Sequence, residues 1–87
     1  MVSQVVTIRN ATGLHLRAAG VFCQTAMRYR SKITFRLRGD ESNAKSVLSV
    51  LGACVVAGDE LELICDGPDE QEALEGMVSL VENGLGE

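Results

Sequence analysis

Residues 32–38 read KITFRLR and run into Gly39-Asp40-Glu41-Ser42-Asn43. Ile33, Phe35 and Leu37 alternate with Thr34, Arg36 and Arg38, so an extended chain puts the first set on a core and the second in water. Gly39-Asp40 turns the chain, and the residues around 40–43 form a short return strand. A half-wet strand joined to its neighbour by a tight turn belongs to an antiparallel sheet, and the rest of the chain follows from that unit.

On the N-terminal side, LRAAGVFCQTAMRYR (16–30) places Ala19, Phe22, Cys23 and Ala26 at helical spacing. Arg28 and Arg30 stand at the end where the helix dipole favours cations. Before it, VSQVVTIRN (2–10) is β-branched and stops at the turn cluster Asn10-Ala11-Thr12-Gly13, which makes it a first strand. On the C-terminal side, Ser46 is a good N-cap for a short helix over Val47–Leu51. DELELICD (59–66) alternates again, with Leu61, Leu63 and Cys65 against Glu60 and Glu62. In PDEQEALEGMVSLVENGLGE (68–87), Asp69 and Glu72 have the spacing of a capping box. Ala73, Leu74, Met77, Val78 and Val81 then form one stripe that ends at Gly84 and Gly86. The order is βαββαβα, an α+β fold with an antiparallel sheet covered by helices on one face.

The 87 residues suffice for one small domain, 1–87, with a mostly aliphatic core, since the aromatics are only Phe22, Phe35 and Tyr29. The start MVSQVVTIRN lacks the basic and apolar regions of a signal peptide, and no stretch reaches the length of a membrane span, so a cytoplasmic location is expected. Cys23, Cys54 and Cys65 form an odd set without C-x-x-C spacing and read as buried free thiols. All eight Lys and Arg lie between Arg9 and Lys45, whereas ten of the twelve acids follow Ser46. If the halves fold side by side, the domain has a basic and an acidic face, which serve as solvated surface or steer a partner.

His15 is the single histidine, and a lone histidine is more often structural than functional. Its surroundings argue for function. Gly13 supplies backbone freedom and Leu14 anchors the chain, so His15 falls where loop becomes helix, at unpaired N–H groups that attract anions. Arg17 is a cation in the first helical turn, where it opposes the dipole by roughly 0.3–1 kcal/mol unless something negative offsets it. A phosphate would. A nucleophilic imidazole nitrogen, N–H donors and a cation are most of what phosphoryl transfer needs. The sequence has no P-loop, no nucleotide fingerprint and no second catalytic group, so the phosphate must come from one protein and go to another.

TGLHLRAA (12–19), NAKSVLSVL (43–51), DGPDEQEAL (66–74) and the terminal GLGE (84–87) together resemble the histidine-containing phosphocarrier (HPr) family of the bacterial sugar phosphotransferase system, over essentially the whole chain. The resemblance implies an open-faced β-sandwich, sheet order 1-4-2-3, with three helices on one face. It implies phosphorylation of His15 on Nδ1, with Arg17 as the phosphate's side-chain partner and Ser46 as a regulatory serine for a dedicated kinase. Leu16, Gly20, Gln24, Val47, Leu48 and Leu51 fall where the family docks its partners, and Leu16 and Leu48 are expected to be exposed beside a basic rim of Arg17 and Lys45. The implied partners are enzyme I, enzyme IIA domains and HPr kinase/phosphorylase. No cofactor, metal, nucleic acid or membrane insertion is implied, and a monomer is expected. Such a protein is a phosphocarrier rather than a true catalyst.

Two residues depart from the family's pattern: Ala18 replaces its usual proline and Leu16 its usual small or polar residue. Two rival functions remain. One is a regulatory interaction module controlled through Ser46, and the other is nucleic-acid binding by Lys32, Arg36 and Arg38, for which exposed aromatics are lacking.

Overall fold

The computed structural model describes residues 1–86; Glu87, the last letter of the GLGE motif, lies outside the described residues. The elements are β1 (Val2–Thr7), α1 (Leu16–Ala26), β2 (Lys32–Leu37), β3 (Asp40–Asn43), α2 (Val47–Gly52), β4 (Glu60–Asp66) and α3 (Glu70–Glu82). The four strands form one antiparallel sheet in the order β1-β4-β2-β3. Order and architecture are those expected.

Register places the alternating residues as the pattern requires. Phe35 pairs with Leu63 and Ile33 with Cys65 across β2 and β4, and Leu61 pairs with Val6 across β4 and β1. All six are buried, together with Ala18, Ala19, Phe22 and Ala26 of α1, Val50 of α2, and Ala73, Leu74, Met77, Val78 and Val81 of α3. Phe22 meets Phe35 edge to face, ring centres 5.6 Å apart, which ties α1 to β2. Such a pair adds roughly 0.5–1.5 kcal/mol beyond its buried area. Thr34, expected on the wet face, is buried, because in a central strand it is flanked by Ile64 and Asn43.

The sheet order separates sequence halves that charge counting had grouped. β4 inserts between β1 and β2, so its acids lie beside the basic strand. Arg36 Nη1 stands 3.7 Å from Glu62, Arg36 Nη2 is 3.4 Å from Glu41, and Arg38 is 3.1 Å from Asp59. Distinct basic and acidic faces do not form on the open side of the sheet. The same pairs leave Lys32 as the one member of the supposed nucleic-acid strip without an ion pair among the described residues.

Three local expectations are corrected. α1 ends at Ala26, so Arg28 and Arg30 lie beyond the helix. Arg28 and Tyr29 donate to Thr25 and Ala26 in tighter turns, and the next two N–H groups, of Arg30 and Ser31, donate to Asp69 at 2.9 and 2.8 Å. Asp69 therefore makes no side-chain cap at α3, and the capping-box reading fails. Its carboxylate also accepts from the Ser31 hydroxyl, and these donors hold the carboxyl at about 2, well below the ordinary value. Glu70, the first residue of α3, accepts from Gly67 N at 3.1 Å and so ties the turn before the helix to its start. Finally, Cys54 is exposed rather than buried, with φ +54° in the turn after α2, while Cys23 and Cys65 are buried. Its apolar neighbours point inward; the left-handed residue between them does not.

Candidate functional site

His15 is the N-cap of α1. Its backbone is extended, its carbonyl accepts from Ala19 N at 2.7 Å, and its side chain folds back so that Nδ1 accepts from Arg17 N at 3.3 Å. A capping side chain conventionally satisfies one of the orphan N–H groups at a helix start. Here an imidazole does so, and an Nδ1 that accepts an N–H is the nitrogen that carries the lone pair, which points at the first turn of the helix. The ring is exposed. Arg17 is exposed too and has no ion pair among the described residues, so its guanidinium is available to an anion beside His15.

The loop that carries His15 is held from two sides. Asn10, 7% exposed, donates from Nδ2 to the Gly13 carbonyl at 2.7 Å, closing the turn. Leu14 is buried, and its N–H donates to the Val55 carbonyl at 3.1 Å. Gly13 has φ +63°, and a Cβ there would stand 2.4 Å from Val55 O and 2.8 Å from Val56 Cα. Glycine is required both for the conformation and for the approach. The loop between α2 and β4 was no part of the sequence reading of the site, because its only signals are ordinary turn residues.

Ser46 is the N-cap of α2, its Oγ accepting from Ser49 N at 3.3 Å. α1 and α2 pack against each other, and the Cys23 thiol donates to the Lys45 carbonyl at 3.1 Å, which sets the start of α2 beside the third turn of α1. Leu16 is 71% and Leu48 79% exposed, as expected, and Val47 is 38% exposed. Gln24 is exposed, Gly20 is half-buried, and Leu51 is half-buried against the core. Leu16, Gly20 and Gln24 recur every fourth residue and share a face of α1. Lys45 is not the free rim cation expected: its Nζ donates to the Tyr29 carbonyl at 2.7 Å, tying the turns that follow α1 to the start of α2.

Surface hollows of about 320 Å³ between β3 and α2 and about 350 Å³ on the open sheet face are lined by neither His15 nor Arg17. Among the described residues, no cluster of His, Cys, Asp or Glu could hold a metal ion, and no helix is long and apolar enough to cross a membrane.

Comparison with known proteins gives the family and the fold. The family described as the HPr component phosphorylation site of the phosphotransferase system matches residues 2–83. The HPr-like protein Crh of Bacillus subtilis is 42% identical over 82 residues, 94% of this chain and 96% of Crh. The phosphocarrier protein HPr of Cupriavidus necator is 36% identical over 87 residues, all of this chain and 98% of its own. The crystal structure of HPr from Thermoanaerobacter tengcongensis superposes with a TM-score of 0.96 at 37% identity, over 100% of this chain and 98% of that one. A dimeric form of HPr from that organism superposes at 0.80, with 37% identity and full coverage of both chains, so relatives do not support the expected monomer. With the family model matched over residues 2–83 and relatives and solved structures agreeing in sequence and fold, the chain belongs to the HPr family of phosphocarriers.

Proposed function

We propose that this chain, as one HPr-like domain over residues 1–87, is a cytoplasmic phosphocarrier that accepts a phosphoryl group on His15 Nδ1 from phospho-enzyme I and passes it to enzyme IIA domains. The observation that carries the reading is an exposed imidazole at a helix N-cap whose Nδ1 faces the Arg17 N–H. As the Nδ1 lone pair attacks phosphorus, the N–P bond forms and the bond from phosphorus to the donor's leaving nitrogen breaks. Charge on the transferred oxygens then meets the first N–H groups of α1 and the Arg17 side chain. Leu16, Leu48, Val47 and Leu51, with Gly20 and Gln24, supply an apolar docking surface that donor and acceptor occupy in turn. Since the protein is itself consumed and regenerated, it is a carrier in a chain of reactions.

Ser46 is the proposed regulatory position. A phosphate there, added by an HPr kinase/phosphorylase, would sit on the N–H end of α2 and bring negative charge to the docking surface. The likeness to the HPr-like protein Crh favours a second reading, in which regulation through Ser46 is the principal role and sugar transport is minor. The two are separated by assaying transfer to an enzyme IIA domain directly.

The test is incubation with enzyme I, magnesium and labelled phosphoenolpyruvate. Acid-labile label appears on the wild type and is abolished in His15→Ala. Full labelling of that variant refutes the proposal.

A further inference from the structure

We infer that Asp59 is a positioning residue for phosphoryl transfer at His15, acting through the single peptide unit that joins Val55 to Val56. The inference rests on the proposal that His15 carries the phosphate.

The Val55 carbonyl and the Val56 N–H belong to one planar unit and cannot turn independently. The carbonyl accepts from Leu14 N–H at 3.1 Å, and Leu14 is the residue before His15. It is also the atom nearest to where a Gly13 Cβ would lie, so both residues that lead the chain into His15 rest on it. On the other side of the unit, Val56 N–H donates to Asp59 Oδ2 at 2.9 Å. Asp59 N–H returns to the Val56 carbonyl at 3.1 Å, closing the turn from both chain directions.

Asp59 is itself anchored. Its Oδ1 accepts from Arg38 Nη2 at 3.1 Å, and its side chain is only 15% exposed. Its carbonyl accepts from Ile8 N, and Gly58 N donates to the Ile8 carbonyl, each at 2.9 Å, which fastens the turn to the chain leaving β1. A carboxylate clamped by backbone and guanidinium therefore fixes the orientation of the carbonyl that supports His15. A charge-assisted acceptor on the N–H also polarises the same amide and strengthens its carbonyl as an acceptor. Among the described residues Asp59 is the acceptor for the Val56 N–H, so without it the peptide is free to rotate away from Leu14.

The consequence falls on the chemical step, because the Val55–Val56 unit supports the residues that lead into His15, whereas Leu16 and Leu48 take no part in the hydrogen bonds of this turn. Misplacing a reacting group by about 1 Å costs up to about a hundredfold in rate. Asp59→Ala in the full chain should therefore lower kcat for phosphoryl transfer from enzyme I about ten- to a hundredfold, with KM for enzyme I within about twofold of wild type. Asp59→Asn keeps an oxygen acceptor for the Val56 N–H and should recover most of the rate. Amide exchange at Leu14 should accelerate in Asp59→Ala and not in Asp59→Asn, a readout independent of activity. If Asp59→Ala does not fold, Asp59→Glu, which pushes the carboxylate one methylene past the Val56 N–H, is read in its place and should show the same fall in kcat. Unchanged kcat in a folded variant overturns the inference, and so does an Asp59→Asn no better than Asp59→Ala. Those outcomes leave His15 labelling of the wild type intact; a wild type that takes no label overturns the His15 reading and this one with it.

Discussion

Replacing Gly13 by alanine measures how closely the His15 loop must lie on the Val55–Val56 backbone. Two costs arise. Gly13 sits at φ +63°, where an L residue costs roughly 1–2 kcal/mol, offset by roughly 0.4–1 kcal/mol from the stiffer unfolded chain. The second cost is contact: the new Cβ stands 2.4 Å from Val55 O and 2.8 Å from Val56 Cα, both backbone atoms with no rotamer to yield. The loops must part until the Leu14–Val55 hydrogen bond, 3.1 Å in the native chain, is stretched or lost, worth a further 0.5–1.5 kcal/mol or so. A net loss of about 0.5–3 kcal/mol follows, which for a domain of this size lowers the melting temperature by roughly 2–24 °C. Gly39→Ala is the control, since Gly39 has φ +85° but nothing within 4 Å of a Cβ, and pays only the conformational part. Thermal unfolding followed by circular dichroism, with transfer from enzyme I assayed at a temperature where both variants are folded, gives the answer. Gly13→Ala should melt well below Gly39→Ala and transfer more slowly. If the two melt within about 2 °C of each other, the close-approach argument is wrong.

Asp69 should make the fold acid-sensitive: its folded-state pKa of about 2 lies below the ordinary 3.8, so its contribution is fully present above about pH 4 and is lost as pH falls from 3.8 through 2. Melting temperature against pH should be flatter over that window in Asp69→Asn than in wild type, and equal slopes would count against the Ser31–Asp69 tie. Arg17→Ala should keep or slightly raise the melting temperature, since it removes a cation from the first turn of α1, yet slow transfer at His15 by roughly ten- to a hundredfold through loss of a charged contact to phosphate; unchanged kinetics would remove Arg17 from the site. Leu48→Asp, at a position 79% exposed, should leave stability within about 0.5 kcal/mol and raise KM for enzyme I and for an enzyme IIA domain together. A variant that unfolds, or one that weakens neither partner, contradicts a shared docking surface.

What could be read from the sequence was set by periods of two and 3.6, which act within one element. The burial of Ile33, Phe35 and Leu37, and the stripe from Ala73 to Val81, needed nothing but local alternation. His15 was legible because a helix start, a glycine and an arginine lie within five residues of it. The order of the strands came from family resemblance, since no local pattern says that β4 enters between β1 and β2. That insertion is what cancels the charges which a linear count had separated, as the Arg36–Glu62 pair shows. Asp69 was misread for the same reason: a D-x-x-E spacing is a local signal, and its real partners, Arg30 and Ser31, are 39 and 38 residues away. Cys54 was misread because burial was inferred from its neighbours, while its left-handed backbone turns it outward.

A phosphocarrier faces two demands that conflict. Its nucleophile must be exposed enough for two successive partners to reach it, yet held firmly enough that neither has to order it at the moment of transfer. Exposed loops meet the first demand and fail the second. Here the conflict is resolved by dividing the loop between environments. His15 and Leu16 stand in solvent, while Leu14, one residue earlier, is 3% exposed and hydrogen-bonded to Val55, and Ala18 and Ala19, three and four residues later, are fully buried in the first turn of α1. The exposed segment is thus three residues long, Leu16 through Arg17 continuing directly from His15, and both its ends are pinned to the core. Within it the imidazole accepts from the helix's own backbone, so the same N–H that orients the ring before transfer is positioned to meet a phosphoryl oxygen afterwards. Ala18 lacks the fixed φ of a proline, so the preceding backbone depends more on contacts from outside the helix. Ala18→Pro should therefore raise transfer more than it raises melting temperature. If the melting temperature rises and kcat does not, the rigidity of this loop is already supplied in full by the Val55–Asp59 turn.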